Sequence, residues 1–152
     1  PVTQLDRGER VEAQVTELAA RIDRGRRAVP EHGRGLDPDQ LQQVVWNLVK
    51  NALRYGRMPN EPARVALMVR RLPETNHAVL EVVDHGPGIP AKLATHIFEP
   101  FYTTSEMGTG LGLYIARQIC ETNQATLDYH SLAGGGSCFR ISFHGLPGYG
   151  IA

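Results

Sequence analysis

The sequence predicts an α/β fold, a two-layer sandwich in which a mixed, largely antiparallel sheet carries three helices on one face. Three observations predict it. Two pairs of β-rich runs are each separated by a short turn signal, the pattern of antiparallel neighbours. Helical stretches repeat their apolar residues at i, i+3, i+4 and i+7, so each has one face to bury. Strands and helices do not alternate strictly along the chain, so an open doubly wound parallel sheet fits poorly.

Residues 8–22 carry Val11, Val15, Leu18, Ala19 and Ile22 at helical spacing, and Gly25 with an arginine-rich turn ends that first helix. A weakly strand-like stretch over 28–36 leads to Asp37-Pro38, an N-cap candidate followed by proline at the first helical position. The second helix runs to Tyr55 and stops at Gly56, with Leu41, Val44, Val45, Leu48 and Ala52 as its apolar stripe. Arg64–Arg71 and Val79–Asp84 are strands around the turn Pro73-Glu74-Thr75-Asn76. Residues 90–97 make a short helix. Residues 98–109 are polar, aromatic and aperiodic, which marks a functional loop. Leu111, Ile115 and Ile119 define the third long helix, to Thr122. Strands at 125–130 and 137–143 flank Gly134-Gly135-Gly136.

A chain of 152 residues with 41% apolar composition can bury one core, so one domain over 1–144 with a frayed, flexible tail over 145–152 is expected. Sixteen lysines and arginines balance sixteen acids. No global field therefore attracts nucleic acid or an anionic membrane, and any phosphate binding must be local. No apolar run reaches the length of a membrane span, and the N-terminal residues show no basic start, apolar stretch or cleavage site. A cytoplasmic fragment without direct membrane contact is expected, cut from something longer because it starts at Pro1. Cys120 and Cys138 fall in apolar helix and strand patterns without metal-ligand spacing, so both read as plain buried thiols.

Three clusters carry chemistry. Asn47, Asn51 and Arg54 lie at i, i+4 and i+7 on one helical stripe beside the apolar one. Amide oxygens there suit a hard cation such as Mg²⁺, although a merely solvated polar face would look the same. DHGPGIP, from Asp84 to Pro90, ends a strand in a turn whose glycines allow a ligand to come close, with Asp84 able to accept an exocyclic amine such as that of adenine. An ordinary capped turn is the plain alternative. GTGLGL, from Gly108 to Leu113, opens a helix whose amides can face phosphate oxygens. A dinucleotide fingerprint is excluded there, because the spacing is GxGxG and no buried strand precedes it. A P-loop is excluded too, since no glycine precedes Lys and Ser or Thr. No HRD-type loop exists either.

The order of these clusters resembles the catalytic domain of bacterial sensor histidine kinases, in the superfamily shared with gyrase, mismatch-repair and heat-shock chaperone ATPases. The resemblance covers residues 36–143. NLVKNALRY (47–55) is similar to the N-box, DHGPGIP to the first glycine box, FEPFYTT (98–104) to the F-box and GTGLGL to the second glycine box. It implies the Bergerat fold with ATP and Mg²⁺ as cofactors. By position, Asn51 would ligate Mg²⁺, Arg54 would contact phosphate and Tyr55 would pack by the adenine. Asp84 would read the adenine amine, with Gly86, Gly88 and Ile89 admitting the base. Gly108, Thr109, Gly110, Leu111 and Gly112 would close over the triphosphate. Phe98 and Phe101 would anchor that lid, and Ser137 would sit near an adenine-bound water.

Asn47 stands where hydrolytic members of the superfamily carry a water-activating glutamate, and an amide has no useful basicity. Phosphoryl transfer to a protein side chain is therefore expected over hydrolysis, with Asn47, Asn51 and Arg54 as the catalytic set. None of the six histidines begins the family's phosphoacceptor pattern. The implied partners are a separate dimerisation and phosphoacceptor domain of the same kinase and a response regulator. ICETNQATLDY and GGGSCFRISF resemble the NtrB and PilS-type branch, PilS most closely, which implies an NtrC-like regulator, a type IV pilus sensor and a parent in the inner membrane. A serine kinase of the anti-sigma type and a non-catalytic nucleotide-binding docking module are the competing readings.

Overall fold

The computed structural model describes residues 2–5, 17, 37–75, 77–103 and 109–143. Five strands form one sheet: β1 (Val2–Leu5), β2 (Val65–Arg71), β3 (Ala78–Asp84), β4 (Ala125–Ser131) and β5 (Ser137–Phe143). Their order is β1-β2-β3-β5-β4, and every pairing among the described residues is antiparallel. The expected parallel component is therefore absent from the described sheet. Strand β1 escaped the sequence reading because four residues carry too little periodicity to declare themselves. The helix expected over 8–22 and the strand over 28–36 lie outside the described residues, apart from an exposed, helical Glu17. The tail over 145–152 also lies outside them.

Helix α1 (Pro38–Tyr55) starts as its sequence dictates. The Asp37 carboxylate accepts the amides of Asp39 at 2.8 Å and Gln40 at 3.4 Å, and proline stands at the first position, where no donor is needed. It ends where the Gly56 amide donates to the Ala52 carbonyl at 2.8 Å. Its buried stripe is Leu41, Val44, Val45, Leu48, Val49 and Ala52. Each of its leucines and valines contributes roughly 1.5 to 3 kcal/mol by leaving water. Opposite them lie Val65, Leu67, Leu80, Val82, Leu127, Phe139 and Ile141, the alternate residues of four strands.

After β3 the chain crosses the core face through a short helix, α2 (Ala91–Ala94), and then α3 (Gly112–Thr122). Helix α3 buries Ala116 and Cys120 and packs on α1 and β4. Asn123 ties the two helices together. Its amide donates to Gln40 Oε1 at 2.8 Å and its oxygen accepts the Asp37 amide at 3.3 Å, so the end of α3 is fastened to the start of α1. The chain enters β4 at the sheet edge and returns as β5 through the glycine turn, which seats β5 beside β3. Residues Asp84 and Ser137 thereby become register partners on the helix-covered face.

Candidate functional site

Two adjoining hollows open where the ends of β3 and β5 meet α1 and the start of α3. The first, about 250 Å³, is lined by the last turns of α1, by Asp84, Gly88, Ile89 and Pro90, and by Ser137 and Phe139. The second, about 270 Å³, is lined by Asn47, Lys50, Asn51, Arg54, Thr109, Gly110 and Gly112. Asn51, Tyr55, Ile97, Tyr102, Thr103 and Leu113 border both, so the two are ends of one cleft. The size and the mixed apolar and polar lining suit a small ligand with one flat end and one charged end.

Asp84 is 3% exposed at the closed end. Burial raises its pKa, opposed by the backbone amides of Gly86 and Ser137 and by His85. The Gly86 amide donates to Asp84 Oδ1 at 3.0 Å, which leaves acceptor capacity on the carboxylate for a donor in the cleft. The turn after Asp84 lies directly on the end of α1. A Cβ at Gly86 would stand 2.4 Å from the Gly56 carbonyl carbon, so this approach requires glycine. Gly88 adopts φ +77° and lines the same end.

The open end is polar. Asn47, Asn51 and Arg54 face it from one stripe of α1, joined by Lys50, while Thr109 and Gly110 approach from the far side. Among the described residues no group of three or more His, Cys, Asp or Glu is placed to hold a metal ion. The donors available at Asn47 and Asn51 are amide oxygens, which suit a hard cation that arrives with ligand oxygens and water of its own. Helix α3 opens at Leu111 with no side-chain cap, so its first-turn amides lack intrahelical partners. The Leu111 amide itself donates to Thr109 Oγ1 at 3.3 Å.

Phe98 packs edge-on against Phe139 with ring centroids 6.3 Å apart, and the Arg117 guanidinium lies 4.4 Å from the Phe98 centroid. Phe101 behaves differently from the expectation. Its side chain is 74% exposed, so it does not anchor the loop by burial. Its backbone does the holding: φ is +66° and its amide donates to the Gly110 carbonyl at 3.0 Å. Gly110 needs to be glycine twice over, with φ +72° and a hypothetical Cβ 2.4 Å from the Phe101 carbonyl carbon. A Cβ at Gly112 would meet nothing within 4 Å, so no steric reason demands glycine there. Gly108 lies outside the described residues.

Lys50, Gly56 and Tyr102 line the cleft without having been expected there. Lys50 had a signal, since it stands three residues after Asn47 and four before Arg54. The others are brought in by loop packing, which one sequence does not display. On the opposite face of the sheet, Glu81 is 2% exposed and accepts from Arg70 Nε at 2.6 Å, Arg140 Nη2 at 3.1 Å and Cys138 Sγ at 3.1 Å. Burial alone would raise its pKa, yet the hydrogen bonds from Arg70, Cys138 and Arg140 prevail and hold it at about 2. Burial pushes the Cys120 and Cys138 thiols up to about 12, which keeps both inert.

Residues 36–146 match the family described as histidine kinase-, DNA gyrase B- and HSP90-like ATPase. The chain is 45% identical over 145 residues to the sensor protein kinase PilS of Pseudomonas aeruginosa, an alignment covering 92% of this chain and 27% of that protein. It is 39% identical over 119 residues to the sensory histidine kinase/phosphatase NtrB of Rhodobacter capsulatus, covering 73% of this chain and 33% of NtrB. It therefore spans about a quarter to a third of the length of these relatives. The fold matches the nucleotide-free catalytic domain of histidine kinase ThkA with a TM-score of 0.62 and 24% identity, covering 94% of this chain and 97% of that one. Four motifs in family order around a single two-ended cleft, together with the match across residues 36–146, establish that this chain belongs to the histidine kinase-, DNA gyrase B- and HSP90-like ATPase family.

Proposed function

We propose that this chain is the ATP-binding catalytic domain of a two-component sensor histidine kinase of the PilS and NtrB type. It transfers the γ-phosphoryl of Mg·ATP to a histidine on a separate dimerisation domain, for relay to an NtrC-like response regulator. A type IV pilus sensor anchored in the inner membrane is the parent this reading favours. Among the described residues no helix is long and apolar enough to cross a membrane.

The observation that carries the reading is the distribution of charge along the cleft. Asp84 is the only carboxylate among the described residues that line it, and it lies at the closed end with its oxygen engaged by the Gly86 amide. The open end offers the cations Lys50 and Arg54, which neutralise phosphate, and the amides Asn47 and Asn51, none of them a carboxylate able to abstract a proton from water. When bound, Mg²⁺ would supply charge neutralisation to the triphosphate, and Asn51 would be the residue that holds it. The amides at the start of α3 and the cations of α1 orient the triphosphate from opposite sides. An incoming imidazole then needs only alignment, because the bond to phosphorus that forms replaces the one to the departing ADP.

The chain is incubated with γ-labelled ATP, alone and with the upstream histidine-bearing fragment of its parent. Slow turnover alone and acid-labile, base-stable label on that fragment are expected. Rapid hydrolysis by the chain alone points to an ATPase, and acid-stable label on a small antagonist protein points to the anti-sigma type of serine kinase.

A further inference from the structure

The aromatic side chain of Tyr129 lies on the helix-covered face of β4, tilted against Phe139 with centroids 5.4 Å apart. It does not line the closed end of the cleft. Its hydroxyl nevertheless makes two contacts there. It accepts the Ile89 amide at 2.9 Å and lies 3.3 Å from Ser137 Oγ. Ile89 belongs to the turn that follows Asp84, and Ser137 on β5 is the register partner of Asp84. One hydroxyl thus clips the turn to the strand beside it.

A backbone N–H only donates, so the Tyr129 oxygen spends a lone pair on Ile89 and keeps its own proton. Given to Ser137 Oγ, 3.3 Å away, that proton leaves the hydrogen of Ser137, a residue 4% exposed, to turn toward the cleft. The result beside the base is an acceptor, Asp84, next to a donor, Ser137. That order is complementary to the amine and N1 of adenine. Guanine presents the reverse, a carbonyl and an N–H.

We propose that Tyr129 is a positioning residue for the nucleotide: it fixes Ser137 as a donor and clips the Asp84 turn, and so sharpens the preference for adenine. This rests on the reading of the cleft as an ATP site. Without the phenolic proton, the Ser137 hydroxyl rotates freely between donating and accepting, and the penalty against guanine falls.

The test titrates the chain and its Tyr129→Phe variant with Mg·ATP and Mg·GTP by calorimetry, with thermal unfolding recorded in the absence of nucleotide. Phenylalanine keeps the packing on Phe139 and removes only the hydroxyl. The expected result is ATP binding weaker by about fivefold, the worth of one neutral hydrogen bond, with GTP binding changed less than about twofold. Ser137→Ala should shrink the ATP-to-GTP ratio by the same factor, and the double variant should lose no more than either single one. An unchanged ratio in Tyr129→Phe overturns the proposal, even if its unfolding temperature falls, since that would be a packing role. Additive losses in the double variant, or an unchanged ratio in Ser137→Ala, overturn it as well. Failure of the unaltered chain to bind ATP would instead remove the proposed function, and this inference with it.

Discussion

Asp84 shows how one residue's surroundings set a ligand preference. A carboxylate 3% exposed is costly to ionise, and burial raises its pKa above the ordinary aspartate value. Two backbone amides offset part of that cost, and a donor from the ligand would offset more. Because only the ionised form accepts fully, ATP affinity is expected to fall on acidification at a higher pH than an ordinary aspartate would dictate. The sign for folding is the reverse: a raised folded pKa contributes stability at low pH that is lost as pH rises through it. Asp84→Asn should weaken ATP binding about tenfold or more, lower the ATP-to-GTP ratio and remove the acid dependence. Calorimetric titrations of both nucleotides across pH check all three, and a variant with the original ratio would contradict the assignment.

At the level of elements, the sheet keeps different chemistry on its two faces. The helix-covered face is apolar up to the strand ends, where Asp84 and Ser137 turn polar toward the cleft. On the opposite face Glu81, Arg70, Arg140 and Cys138 form a cross-strand cluster over β2, β3 and β5. Glu81 has a folded pKa of about 2 against 4.5 for an unperturbed glutamate, so its contribution to stability is present above 4.5 and lost as pH falls toward 2. That shift is worth on the order of 3 kcal/mol. Glu81→Gln should destabilise the chain at neutral pH, because it leaves two arginines without their carboxylate, and flatten the loss of stability between pH 4.5 and 2. Urea unfolding across that range measures it. An unchanged acid profile would show that the cluster does not carry the acid sensitivity.

At the scale of the whole molecule, the described residues form a sheet and a helical layer that part at one end, and the cleft is that parting. A ligand bound there bridges α1, the end of β3 and the start of α3, so binding is coupled to the global fold. Mg·ATP at about one hundred times its Kd should raise unfolding stability by about 2.7 kcal/mol, with a matching rise in Tm. Mg·GTP at the same concentration should raise it much less. Equal shifts with both nucleotides in a thermal scan would mean that the closed end does not discriminate bases.

Much of this was legible in one dimension. The Asp37 cap, the stripe of α1, the two hairpins and the asparagine stripe all depend on residues within a few turns of one another, and local spacing reports such features directly. The four motifs could be placed on their elements for the same reason, and Asn47, Asn51, Arg54, Asp84 and Ser137 do line the cleft. What required the tertiary structure is separated in sequence and joined by register or close approach. Strand β1 gains its identity only from pairing with β2, and Phe101 proved to hold its loop through its backbone and Gly110 rather than through a buried ring. The Glu81 cluster depends on three strands lying side by side. Tyr129 reads as one more aromatic in a strand until the fold sets its hydroxyl beside Ile89, forty residues away, since spacing along a chain encodes which face a side chain takes but not what a distant segment will bring to meet it.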